Sequence, residues 1–292
     1  MVRFTTLAIL MTTIGVTSLR SAHAESVAAQ KGATLTIKGT PETDGFEIDG
    51  NGTMGQLVVA IAGGPSTEFF GVRDVRIDAG KGNDIIRISG IQIGGSLRVK
   101  TGSGSDFVDL DNTTVAGPVL PMLIGKDLEL RLGGQEQDAV DVDVDFDASF
   151  SIGGRVSIDG ATDIDLNGGG TKTEYEQRDL SIGGNLRIRM PIALDFDNDG
   201  LTLDVDSIDV GGATDIRLSN LADEVELTRS TFARAFAIDM RGANDDLNFD
   251  SRASRFESTV LFNGGESGDS VFASEFVVFE VEPVFKNVEQ QS

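Results

Sequence analysis

The side chains in this chain with the greatest capacity for chemistry are carboxylates, and they are regularly placed. A short pattern recurs, Asp-x-apolar-x-apolar, beginning at Asp44, Asp84, Asp106, Asp138, Asp223, Asp245 and Asp269. An Asp that follows a Gly-rich turn can accept hydrogen bonds from nearby backbone N–H groups and start the strand. Its carboxylate can also join turn carbonyls as a ligand for a hard cation such as Ca²⁺. A denser set occurs once, at Asp195, Asp197 and Asp199, followed by Gly200 and by Asp206 at the twelfth place. That spacing brings three carboxylates around one point, with a Gly for the sharp turn and an Asp where the bidentate Glu of a Ca²⁺ loop usually stands. The expected metal ligands are therefore Asp195, Asp197, Asp199, Asp206, Asp84, Asp106, Asp138 and Asp269.

The position three residues after each leading Asp forms a second column: Glu47, Arg87, Asp109, Asp141, Asp165, Asp195, Glu226, Asn248 and Phe272. Two degenerate copies without the Asp, starting at Thr162 and Ile192, supply Asp165 and Asp195. The members from Asp109 to Glu226 are all acidic. Stacked at about 4.8 Å, neighbours would repel by about 0.9 kcal/mol in water and about 3.5 kcal/mol at an effective dielectric of about 20. Such a stripe calls for bound cations or for neighbouring arginines, and Arg98, Arg131, Arg155 and Arg187 lie on the preceding strands. Asp141, Asp143, Asp145 and Asp147 alternate with Val and Phe and should all project from one face.

Composition removes other chemistries. The chain has 292 residues with 24 basic and 47 acidic side chains, a formal charge of −23, no Cys, no Trp and one His. Without Cys there is no disulfide framework, thiolate zinc site or cysteine nucleophile. The one histidine, His23, falls in residues 1–24, which read as a secretory signal peptide. Arg3 gives the basic start, Leu7 to Val16 the short apolar run, and Ala22-His23-Ala24 the small-x-small cleavage pattern. Cleavage leaves no histidine, which excludes Ser-His-Asp catalysis and His-ligated metals. The expectation is a secreted chain, extracellular, at the cell surface or in the periplasm, with no membrane span after cleavage. Its acidity repels nucleic acid and attracts cations.

The elements that must position the carboxylates are strands. A second pattern precedes the Asp-led strand: Ile93-Gly94-Gly95 before Leu97 and Val99, Ile152-Gly153-Gly154 before Val156 and Ile158, Ile182-Gly183-Gly184 before Leu186 and Ile188, and Val210-Gly211-Gly212 before Ile216. Period-two alternation dominates and no stretch shows a helical period. Units of 22–32 residues, each one Gly-Gly turn, one alternating strand, one Gly/polar turn and one Asp-led strand, suit coils of a parallel β-solenoid. The expectation is an all-β, right-handed parallel β-helix of about nine coils over residues 25–292, with caps near 25–38 and 281–292. The competing antiparallel sandwich needs an Asn-Gly or Asp-Gly hairpin in every unit, and Asp44-Gly45, Asp159-Gly160 and Asp199-Gly200 do not recur that way. The Phe-rich C-terminal part predicts stacked aromatic rungs inside the coils. The least regular stretch, 167–178, holds Tyr175 and reads as an exposed loop.

Ala79-Gly80-Lys81-Gly82-Asn83-Asp84 and Thr101-Gly102-Ser103-Gly104-Ser105-Asp106 resemble the RTX nonapeptide, with the first Gly replaced. Gly133-Gly134-Gln135-Glu136-Gln137-Asp138 and Gly264-Gly265-Glu266-Ser267-Gly268-Asp269 resemble it with the third Gly replaced. The RTX resemblance implies Ca²⁺ held between neighbouring turns, although here the turns lie one per coil rather than in tandem. Over about residues 33–280 the chain is similar to secreted right-handed parallel β-helix repeat proteins with RTX-like turns. Asp195 to Asp206 resembles an EF-hand-type loop without the helices.

Three functions fit these features. The first is an exported, non-enzymatic structural or adhesive solenoid that binds Ca²⁺ or other divalent cations, with a polysaccharide or cell-surface component as partner. The second is a carbohydrate-active β-helix enzyme, a lyase or hydrolase using paired acids such as Asp245 and Asp246. The third is a binding module for a cationic partner, marked by strong salt dependence without divalent selectivity.

Overall fold

A computed structural model describes residues 25–62, 64–104, 106–111, 121–132, 156–158, 162–165, 173–178, 180–189, 201–249, 254–265 and 268–291. The alternating strands expected from the sequence are present, and they stack in parallel to form a β-solenoid with three faces. The first face is an eleven-stranded sheet that runs from Val27–Lys31 to Val284–Lys286. It includes the strands after the Gly-Gly turns, such as Leu97–Ser103, Leu186–Arg189 and Thr214–Arg217. The second face carries the Asp-led strands: Gly45–Gly50, Ile85–Ser89 and Phe107–Asp111 in one sheet, and Glu224–Thr228, Asp246–Phe249 and Asp269–Ala273 in another. The third face is eight short strands, from Gln92–Ile93 to Val278–Phe279.

Register explains why the fold is stable. Leu97, Leu128 and Thr162 align across the first face, as do Ile188, Ile216, Ile238 and Phe262. Because alternate side chains point inward, aligned strands stack like on like, and the inward columns are fully buried. The expected aromatic rungs are present. Phe232, Phe256 and Phe279 stack face to face at centroid distances of 5.0 and 5.0 Å, and Phe262 stacks on Phe285 at 5.0 Å. Each fully buried Phe contributes about 1.5–3 kcal/mol of apolar burial.

Parallel pairing excludes the sandwich. Among the described residues antiparallel pairs occur only at the N-terminal end, where Val27–Lys31 lies on Thr34–Lys38 and a hairpin of Leu57–Ile61 and Thr67–Phe69 extends Gly45–Gly50. The hairpin sits inside the 40-residue first interval, which no repeat pattern marks.

The organisation differs from expectation in three places. About six turns, rather than the nine expected, carry an unbroken second-face stack. Six strands, from Thr173–Arg178 to Val288–Gln291, form the unbroken second-face stack, while the three N-terminal Asp-led strands belong to a separate sheet. The degenerate copy at Thr162 is a first-face strand, Thr162–Asp165, pairing with Leu128–Arg131 and Leu186–Arg189. The stretch read as an exposed loop contains the strand Thr173–Arg178, whose register aligns Tyr175 with the buried Leu203 and Val225. In both places a missing leading Asp hid which face the alternation belonged to.

Candidate functional site

The leading Asp residues meet at the corner between the first and second faces, where they form a ladder. The backbone N–H of each donates to the carboxylate of the next coil's Asp: Asp44 to Asp84 at 2.8 Å, Asp84 to Asp106 at 3.0 Å, Asp223 to Asp245 at 2.7 Å and Asp245 to Asp269 at 3.0 Å. The Gly-rich turns before Asp84 and Asp106 allow this approach. At Gly102, φ is +107°, and a Cβ there would overlap the Gly80 carbonyl of the coil below. The ladder thus spends one carboxylate oxygen on an N–H that the sheet leaves over at its corner.

The first member of each run is capped within its own turn. Asp44 accepts from the Thr40 N–H and hydroxyl at 2.5 and 3.0 Å and from the Ser26 hydroxyl. Asp223 accepts from the Ser219 N–H at 2.8 Å and from its hydroxyl. The later members are different. Asp84, Asp106, Asp245 and Asp269 are at most 2% exposed, and their second oxygen, Oδ2, meets no hydrogen-bonding group. Burial favours the neutral acid and raises all four pKa values, Asp84 to about 7 and Asp245 to about 8. Neighbouring carboxylates push the same way: Asp106 and Asp44 on Asp84, and Asp223, Asp269 and Asp246 on Asp245.

Of the other expected ligands, Asp206 is described and stands apart from this ladder. Asp206 ends the strand Leu201–Asp206, where it pairs with Arg229 and accepts from the Thr228 hydroxyl at 2.6 Å. Asp138, Asp195, Asp197 and Asp199 lie outside the described residues, as do residues 1–24, the Asp141–Asp147 run and the degenerate copy at Ile192. Among the described residues no group of three acids or histidines is arranged to hold a metal ion. Asp245 and Asp246 are separated by the strand itself, one buried and one exposed, so they do not flank a common point.

Among the described residues the acidic outward column has different members from those expected. Asp165 is on the first face, in register with Arg131 and Arg189. On the second face the register aligns Glu176, Asp204 and Glu226, and beside them Glu224 and Asp246. Arg98, Arg131 and Arg187 stand on the first face and serve acids there. Glu129 is held by Arg98 at 2.9 Å and Arg131 at 2.5 Å, and Asp215 by Arg187 at 3.8 Å and Arg217 at 3.5 Å. In each case one cation is in the preceding coil and the other two residues along the same strand.

Sequence reading missed a second ladder at the corner between the second and third faces. The Ile208 N–H donates to the Ser230 hydroxyl at 3.3 Å, and the Ser230 N–H to the Ser254 hydroxyl at 3.2 Å. Ser230 and Ser254 are fully buried, and their spacing of 24 residues was the available signal. No protein-family model matches the chain, and no curated protein or solved structure is significantly similar to it.

Proposed function

We propose that the chain is an exported structural or adhesive solenoid whose acidic repeat residues work inside the wall rather than on a substrate. The observation that carries this reading is the corner ladder. The side chains that recur most regularly, and that would be the reactive groups of an enzyme, are buried and committed to holding one coil on the next. An enzyme needs acids that converge on an open point, and the ladder acids face inward. Export is tested by expressing the full chain in a secreting host and weighing the exported product. The reading expects a mass that starts at Glu25. Retention of the whole chain inside the cell contradicts export.

A second reading, Ca²⁺ binding, is favoured by the unmet Oδ2 atoms of Asp84 and Asp106 beside Gly-rich turns. If it holds, Asp84, Asp106 and Asp269 would supply carboxylate oxygens, and Ca²⁺ would neutralise them in place of protons. Thermal unfolding in Ca²⁺, in Mg²⁺ at matched ionic strength and in EDTA separates the two. A Ca²⁺-selective rise in midpoint supports ion sites, since a ligand that binds only the folded state stabilises it. Equal midpoints in Ca²⁺ and Mg²⁺ leave the neutral-acid ladder as the account.

A further inference from the structure

The first face holds a locally basic patch, and the second face is acidic around Glu224, Glu226 and Asp246. On the first face, register places Arg76, Arg98 and Glu129 in one outward column and Asp78, Lys100 and Arg131 in the next. Four of these six are cations, in a chain whose formal charge is −23. The clamp seen at Glu129 and Asp215 is missing one coil earlier. Arg98 stands where the acid would be, between Arg76 in the preceding coil and Lys100 along its own strand. Arg76 and Lys100 are exposed, and among the described residues neither makes an ion pair. Arg76 therefore faces Arg98, and Arg131 faces Lys100, which has Asp78 on its other side, so two carboxylates, Asp78 and Glu129, stand against four cations set in like-charge pairs. Such a pairing is unfavourable in isolation and is relieved by an external carboxylate.

The second face offers those carboxylates. Glu224 and Asp246 are exposed and adjacent in register, and Glu226 lies in the next outward column in register with Asp204 and Glu176. Both faces are parallel sheets of one solenoid, so their charges repeat on the same spacing of about 4.8 Å. A second copy lying alongside presents acidic rows on the pitch of the basic rows.

We infer that the first face of one copy, at Arg76, Arg98 and Lys100, docks on the second face of another, at Glu224, Glu226 and Asp246. The contact is heterologous: each copy keeps one free face of either kind, so association continues into side-by-side arrays. The inference goes beyond the structural role proposed above and does not depend on the state of the Asp ladder.

The test is sedimentation velocity of the exported chain over a range of concentrations, at low ionic strength and at about 0.5 M NaCl, where the screening length falls to about 4 Å. The expected result is mass that grows with concentration at low salt and disperses at high salt. The double variant Arg76→Glu/Lys100→Glu and the double variant Glu224→Lys/Asp246→Lys should each remain monomeric. Mixed together they should regain arrays in which the two variants alternate, because the reversed first face of one matches the reversed second face of the other and their two unaltered faces still match. All four positions are exposed, and circular dichroism checks that each variant keeps its strand signal. A wild-type chain that stays monomeric throughout overturns the proposal, as does association that neither double variant reduces. Failure of the mixed variants to recover association overturns the pairing of these two faces. Binding of a carboxylated polysaccharide such as polygalacturonate by a monomeric wild type would assign the basic face to a polymer instead.

Discussion

The backbone N–H of Asp223 donates to the carboxylate of Asp245 at 2.7 Å, across the 22 residues that make one coil. The same bond recurs from Asp245 to Asp269 and, at the other end of the solenoid, from Asp44 to Asp84 to Asp106. A sheet corner otherwise leaves such N–H groups without a carbonyl opposite. An orphaned buried N–H costs about 1–3 kcal/mol, so each rung decides whether its corner holds. Two ionised carboxylates at coil spacing would repel by about 3.5 kcal/mol at an effective dielectric of about 20. That exceeds the net worth of about 1 kcal/mol of one ordinary hydrogen bond. The ladder is favourable as a stack of neutral acids and costly as a stack of anions.

Asn is nearly isosteric with a neutral Asp and keeps the oxygen that accepts the Asp223 N–H. Asp245→Asn should therefore keep the fold and match or exceed the wild-type midpoint at pH 8. Asp245→Ala removes the acceptor, leaves a buried N–H unmet and opens a small cavity, at a cost of about 2–4 kcal/mol. Urea unfolding of the two variants against wild type measures both effects. An Asn variant as damaged as the Ala variant would show that the carboxylate charge itself is required.

The turns before the ladder share a left-handed backbone position one coil apart, filled by Gly in one and by Ala in the other. Gly265 has φ of +77°, and a Cβ there would overlap the Arg241 carbonyl. Gly265→Ala should cost several kcal/mol or prevent folding, since both the left-handed backbone and the close approach oppose it. Ala243 sits at φ of +74° without being glycine. Ala243→Gly should raise stability by about 1 kcal/mol, the size of the left-handed penalty it relieves. Thermal unfolding of both variants reads the contrast. Equal and small effects would show that this corner relaxes freely.

How much of this was legible in the sequence follows from what each residue type can signal. Strict alternation exposed the strands, and Gly-Gly before a strand exposed the coil corner, because both are local rules. The leading Asp revealed its column but not the direction of its side chain. Asp84 and Asp106 read equally well as turn acceptors and as cation ligands until the neighbouring coil placed an N–H opposite each carboxylate. Thr162–Asp165 was assigned to the wrong face because alternation alone does not say which side of the coil a strand lies on. The error put Asp165 into an acidic stripe when its neighbours are Arg131 and Arg189. Thr173–Arg178 reads as a loop because its run of Thr, Glu, Gln and Arg, with one aromatic, lacks the apolar alternation that marks the other strands. The Ser230 and Ser254 ladder was invisible because serine is common in turns and marks none in particular.

The measurement that tests the neutral ladder most directly is stability against pH, in EDTA, for wild type and for Asp84→Asn/Asp245→Asn. An unfolded Asp releases its proton near 3.8, whereas folded Asp84 and Asp245 hold theirs to about 7 and about 8. Between those limits the folded state binds more protons than the unfolded state, so stability falls as pH rises. The contribution is complete below about pH 4, is lost progressively up to about pH 8, and is flat above that. Surface repulsion in so acidic a chain also eases at low pH, but both proteins share it. The account predicts a steep fall in unfolding free energy from pH 5 to pH 8 for wild type and a clearly shallower one for the double Asn variant. Parallel curves for the two proteins would mean that these buried carboxylates do not hold protons in the folded state, and would contradict it.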